Sequence, residues 1–363
     1  MDTTEFAKLL YETKVPSSLP AEVVQKIYEP VLQYISDETP KRLYRYRRCD
    51  ERSFDAFDKG QVWVSTSESM NDGFDARLFF DKGKINQWIE QEFPKTARDS
   101  FTRLFSPASQ SKLPALVLPG LEHAYAAVKT IPEKELSDMV DRVLETIRVD
   151  NLSTLSILSS IPQQTIKFCC LSEVIDSPAM WGLYAADESG FALAYDFKTN
   201  SLSSPVVNGR VRNCSLFPII YSDERFEVSS DYIQYLLTYR IWSIVLNNSG
   251  YVNYMPQAAS FLLNSLVCPD MFMATKIALH KSREWEREAE WRLFCSSVND
   301  NEFQNSKHGY ITKEPVALYL GRRISPVYEK LLKGIASEKG IPVYRMQLND
   351  ESPTYKLRPI EQQ

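Results

Sequence analysis

Apolar residues in this chain recur at two periods, and the period switches several times. Between residues 20 and 36, Val24, Ile27, Tyr28, Val31 and Ile35 fall at helical spacing. Pro30 sits inside that pattern and predicts a kink or a break. From Leu43 to Arg47 the period drops to two, which places Leu43, Arg45 and Arg47 on one strand face and Tyr44 and Tyr46 on the other. Asp50 can cap a short helix from Glu51 to Lys59, Gly60 can end it, and Val62 to Ser65 reads as the next strand.

Helical spacing returns over 83–160. Thr130, Pro132 and Glu133 make a helix start, and Leu136, Met139, Val140, Val143, Leu144 and Ile147 form its apolar stripe. Ile166 to Leu171, Gly190 to Phe197 and Leu216 to Tyr221 turn strand-like, and Ser177 followed by Pro178 starts a short helix through Tyr184. Ile233, Leu236, Leu237, Ile241, Ile244 and Val245 mark another helix, and Phe261 to Val267 a further one. Glu290 to Cys295, Val316 to Leu320 and Pro342 to Met346 read as the closing strands. Strands separated by helical blocks predict an α+β fold with a single mixed sheet core. The expected organisation is a helical segment over 1–40, one domain over 41–350 with helical insertions at 83–160 and 225–283, and a C-terminal tail over 351–363.

Composition narrows the function classes. At 363 residues, 44% hydrophobic and 25% charged, the chain can bury a large core without a disulfide or metal staple. Its net charge of −5 lacks the field that drives nonspecific binding to DNA phosphates. Six cysteines form no CxxC pair, and with three histidines there is no zinc spacing, so no metal is expected. Cys169 and Cys170 lie in an apolar run and read as buried free thiols. No secretory signal opens the chain and no run reaches about 18 apolar residues, which points to the cytoplasm and away from membranes.

Candidate chemistry gathers at three places. Arg45 and Arg47 put two like charges on one strand face, which calls for a bound anion, solvent, or pairing with acids such as Asp72 and Asp75. Trp181 and Tyr184 are three apart on a helix face, a spacing that suits core packing or a ring-stacking platform. Glu284, Glu286, Glu288 and Glu290 alternate with Trp285, Arg287, Ala289 and Trp291. A carboxylate that enters a sheet at Glu290 must be paired or functional, with Arg292 or Arg45 as the structural partners. Asp72, Asp75 and Glu173 offer a carboxylate cluster for a metal-dependent nuclease.

Three segments in this order carry a resemblance: LYRYR with VWVSTSESMNDGFD, then CLSEVIDSPAMWGLYAADESGFALAYDF, then KSREWEREAEWRLF with LYLGRRIS. Together they resemble the bacterial family catalogued as domain of unknown function 2971, with Gly73 standing where the family's Asn-Asp-Pro-Phe motif has Pro. The series Arg45 or Arg47, Ser65-Thr66-Ser67 and Glu288-Ala289-Glu290 also resembles the Arg, Ser-Thr-Ser, Glu-x-Glu signature of ADP-ribosyltransferases. That resemblance implies NAD as substrate. Arg45 and Arg47 would hold its pyrophosphate or ribose, and Ser65 and Ser67 would brace the nicotinamide pocket, with Trp181 and Tyr184 as further pocket residues. Glu290 would be the catalytic carboxylate, and Glu288 would contact an unidentified protein or nucleic-acid acceptor. A toxin or phage-defence effector fits that activity; the alternative is a non-enzymatic module that binds a partner or senses a ligand.

Overall fold

The computed structural model describes residues 3–15, 21–93, 132–198, 206–207, 210–233, 270, 272–297 and 300–362. Helices α1 (Thr3–Glu12) and α2 (Ala21–Glu38) open the chain. Helix α2 runs through Pro30 without ending, because Tyr28, Val31 and Ile35 are all packed into the core on either side of it. Strand β1 (Leu43–Arg47), helix α3 (Glu51–Asp58) and strand β2 (Gln61–Ser65) follow as the period change predicts. Asp50 caps α3 by accepting the Ser53 N–H at 2.8 Å, and Gly60 takes φ +60° just after it. The 83–160 block contains α4 (Lys82–Gln91) and α5 (Glu133–Thr165). The expected helices at Ile233 to Val245 and Phe261 to Val267 fall outside the described residues, apart from Ile233 itself.

One ten-stranded sheet forms the core, mostly antiparallel with one parallel pair, so it is mixed as expected; the short strands β5 (Val206–Val207), β6 (Arg210–Val211) and β8 (Ile220–Ser222) lie outside it. Its stem is β7 (Asn213–Pro218), β10 (Glu290–Ser296) and β3 (Phe168–Ser172). Strand β10 takes one edge of β3 over all five residues, from Glu290↔Ser172 to Phe294↔Phe168. The other edge is shared. Strand β1 touches it only at Tyr44↔Ser172, and β2 only at Ser65↔Phe168. Between those two pairs the sheet forks, and the edge of Cys169 to Leu171 has no strand beside it. One arm continues from β1 through β4 (Phe191–Tyr195), β12 (Ala317–Leu320), β13 (Val343–Leu348) and β14 (Leu357–Gln362). The other continues from β2 to β11 (His308–Thr312).

Glycine is needed where the first arm closes. A Cβ at Gly190 would lie 2.1 Å from the carbonyl oxygen of Arg47, so only glycine lets β4 begin against the end of β1. The turn before it holds Ala186, Asp187 and Glu188 at φ +49°, +54° and +68°, a left-handed run that costs about 1–2 kcal/mol per residue. Tertiary contacts hold it there: Arg322 pairs with Glu188 at 2.6 Å and the Gly321 N–H bonds the Gly190 carbonyl at 2.9 Å.

The expected tail at 351–363 is a strand over part of its length. Residues Leu357–Gln362 form an edge strand paired with β13 along six residues, and Leu357 is buried with Trp181, Tyr319 and Met346. Pro359 and alternating polar residues hid it, since an edge strand tolerates a missing N–H and needs only one apolar face. Among the described residues no helix is long and apolar enough to cross a membrane. Leu357→Ala should lower unfolding stability by about 2–5 kcal/mol, measured by denaturant titration, because it empties a buried position; a disordered tail would show no change.

Candidate functional site

A cavity of about 350 Å³ opens in the fork of the sheet. Strand β1 contributes Arg45 and Arg47, β2 contributes Ser65, β3 contributes Cys170, and the opposite wall carries Lys281, Glu288 and Glu290. Five of the eight residues expected from the sequence therefore meet at one place, and Tyr184 from α6 (Pro178–Tyr184) makes a sixth. Ser177 caps α6 through the Met180 N–H, which sets the face that Tyr184 presents.

Trp181 and Ser67 do not join them. Trp181 is buried on the other side of β1, edge-on to Tyr46, with its indole N–H bonded to the Ile175 carbonyl at 2.7 Å. Its expected pocket role is thus corrected to core packing. Ser67 is buried too and donates to the Asp75 carbonyl at 3.3 Å, away from this cavity. Its side chain secures a turn.

The carboxylate wall is a closed charge network. Residues Arg283–Glu288 form a 3-10 helix, and Ala289 at φ +41° reverses the chain into β10. That left-handed residue brings Glu288 and Glu290 onto one lysine. Lys281 Nζ lies 2.6 Å from Glu288 Oε2 and 2.7 Å from Glu290 Oε2. Glu290 Oε1 also accepts from Arg292 Nε at 2.8 Å, and Arg292 makes a two-pronged pair with Asp75 at 2.7 Å on each side. Arg292 is 0% exposed and lies over the Phe168 ring at 4.3 Å. Tyr184 donates to the remaining Glu288 oxygen, and the Glu290 N–H donates to the Tyr221 hydroxyl at 2.8 Å.

The titration behaviour follows from this network. Burial pushes the Glu290 carboxyl up, but Arg292 and Lys281 outweigh it and hold it at about 2. Burial and the neighbouring Glu288 both push the Tyr184 phenol up, so it stays a donor. The Cys170 thiol is driven well up by burial and by Glu290, which leaves it protonated and unreactive.

The arginine wall is the opposite case. Strand β1 pairs with β4 along its length but with β3 only at Tyr44, so at Arg45 and Arg47 its other edge opens on the cavity. The acids offered as partners are used elsewhere: Asp75 holds Arg292, and Asp72 accepts the Phe74 N–H at 2.8 Å. Arg45 Nη1 is buried with no hydrogen-bond partner. Burial and the neighbouring Arg47 pull the Arg45 guanidinium down to about 9, and burial lowers Arg47 as well. Neither arginine forms an ion pair among the described residues, and Asp50 acts on Arg47 only at longer range.

The cluster expected for a metal-dependent nuclease does not form. Glu173 accepts the Trp291 indole N–H at 2.5 Å, Asp72 and Asp75 are engaged as above, and no group of three ligating side chains among the described residues can hold a metal ion. Neither Lys281 nor the pairing of Asp75 with Arg292 is among the sequence expectations. The one available signal was that Lys281 precedes Glu288 and Glu290 by seven and nine residues; the Asp75 partnership spans 217 positions and leaves no sequence trace.

Residues 180–293 match the model of a family described as a protein of unknown function (DUF2971). That stretch runs from α6 through most of β10 and so includes Tyr184, Lys281, Glu288 and Glu290. No curated protein and no solved structure matches the chain.

Opposite stability effects are expected on the two walls. Glu290→Gln leaves Arg292 and Lys281 underpaired and should cost about 3–5 kcal/mol in denaturant unfolding. Arg45→Met removes a half-buried cation whose Nη1 has no hydrogen-bond partner, and should raise the melting temperature of the ligand-free protein. A fall in melting temperature for Arg45→Met would mean that its charge is compensated.

Proposed function

We propose that the forked cavity binds NAD and that the protein is an ADP-ribosyltransferase-like enzyme. The observation that carries this reading is the polarity of the cavity. One wall has two arginines without partners. The other has Asp75, Glu288 and Glu290 against Lys281 and Arg292, three negative charges facing two positive ones. NAD is dipolar in the same sense, with an anionic diphosphate and a cationic nicotinamide ribosyl end. Arg45 and Arg47 would receive the diphosphate, as buried arginines suit phosphate oxygens. Ser65 lies beside them.

The transfer would then proceed at the carboxylate wall. The bond between the ribose C1′ and the nicotinamide nitrogen breaks, nicotinamide leaves neutral with the electron pair, and positive charge develops on the ribose. Glu290, held ionised, stabilises that charge through space, and Glu288 faces the incoming acceptor. The acceptor's nucleophilic atom bonds C1′ and loses its proton to solvent or to Glu288. The resemblance to a bacterial family suits a toxin or phage-defence effector. The Lys281 clamp on both carboxylates favours one other reading, a module that binds the ligand and does not turn it over.

Calorimetry with NAD, together with an NAD-consumption assay in cell lysate, tests this. Binding with release of nicotinamide is expected, and Arg47→Gln should weaken binding at least tenfold while circular dichroism stays unchanged. Glu288→Gln should lower turnover on the order of 10² or more with binding retained. Binding without turnover would favour the sensing module, and neither binding nor turnover would sink both ligand readings.

A further inference from the structure

Arg45, Arg47 and Ser65 also line a second cavity, of about 290 Å³, between β1, α3 and β2. It lies outside the carboxylate network: Lys281, Glu288 and Glu290 contribute nothing to it. Its additional walls are Arg52 and Ser53 of α3, Trp63 of β2 and His308 of β11.

The charge balance here is one-sided. Asp50 is the single carboxylate among the described lining residues, and it is occupied by the Ser53 N–H in capping α3. Arg52 forms no ion pair among the described residues. Its guanidinium instead lies over the Trp63 ring, 4.9 Å from the centroid, and Tyr310 packs against the other part of Trp63 at 5.3 Å. An aromatic face that fixes a guanidinium leaves its N–H fork free for a planar or tetrahedral anion. Arg45 adds a buried donor with no acceptor. Three guanidinium groups therefore converge on a space at the small end of the range for ligand pockets.

We propose that this second cavity is a binding site for the phosphate group of a small phosphorylated molecule, of nucleoside-monophosphate size or below. The phosphate oxygens take the Arg52 fork and the free donor of Arg45, with Arg47 supplying further charge and His308 standing at the rim. A net charge of −5 over the whole chain argues against an extended nucleic acid as the occupant, because only this local patch would attract it. The site shares Arg45 and Arg47 with the NAD reading, but its own determinants, Arg52, Trp63 and His308, lie outside the forked cavity and let the two be tested apart.

The test uses the full chain with three probes at constant ionic strength: inorganic phosphate, adenosine monophosphate and adenosine. Calorimetry should detect phosphate and adenosine monophosphate but not adenosine, and phosphate should raise the melting temperature in a concentration-dependent way. Arg52→Gln should weaken phosphate at least tenfold while the NAD heat stays as in the wild type. His308→Gln, at the rim, should weaken it by a smaller factor and serves as the second variant where Arg52→Gln does not fold. No phosphate heat, or phosphate binding untouched by both substitutions, overturns the site. Phosphate bound through Arg52 with no NAD bound keeps this proposal and removes the enzyme reading; NAD bound without phosphate does the reverse.

Discussion

Arg292 is a guanidinium with no exposed surface at the centre of the sheet's stem, and much of the surrounding chain is arranged to satisfy it. Asp75 reaches it from the loop after β2, Glu290 from its own strand, and the Ala278 carbonyl from the segment before β9 (His280–Ser282). Removing any one acid would leave charge in a low-dielectric interior, where an unpaired ion costs several kcal/mol. A loop 217 positions away and a segment 14 positions away are thereby tied to a single side chain. Lys281 extends the arrangement outward by holding Glu288 and Glu290 together at the cavity wall.

Charge that is completed on one side of the fork is left incomplete on the other. The five ionised groups around Arg292 nearly cancel, so that wall is set in place before any ligand arrives. Arg45 and Arg47 have no ion-pair partner, and their partial burial is unfavourable in the empty protein. An anion that enters regains for them what folding removed, and this makes the arginines the part of the molecule where ligand affinity and intrinsic stability pull in opposite directions.

Much of the architecture was legible because the period of the apolar residues changes sharply. Strands β1, β2, β3, β4, β10, β12 and β13 lie where alternation or apolar runs put them, and α6 begins at the residue where Ser177 and Pro178 place it. Strands β11 and β14 were not legible. They are edge strands: β11 opens on His308-Gly309 and β14 carries Pro359 among alternating polar residues, so neither shows a continuous apolar face. Within the site, the arginines and the Glu288–Glu290 pair stood out as charges among apolar neighbours. Their partners did not. Asp75 and Lys281 look like ordinary surface acids and bases in the sequence, and only the folded chain shows which charge each one meets. Trp181 misled for a related reason: its spacing from Tyr184 puts both on the same helix, while packing of that helix against β1 buries one and leaves the other on the cavity.

The fork also orders events in time. Strand β1 is complete by residue 47, yet its long partner β4 begins at Phe191 and its contact strand β3 at Phe168. At ribosomal rates of about 5–20 residues per second, β1 waits on the order of ten seconds for a neighbour. Most newly made strands with apolar faces are hazards during such a wait, because an unpaired edge recruits other chains. Arg45 and Arg47 counter that hazard. The same charges that are costly once partly buried make the nascent strand self-repelling until β3 and β4 arrive, so this cationic face also guards against premature pairing.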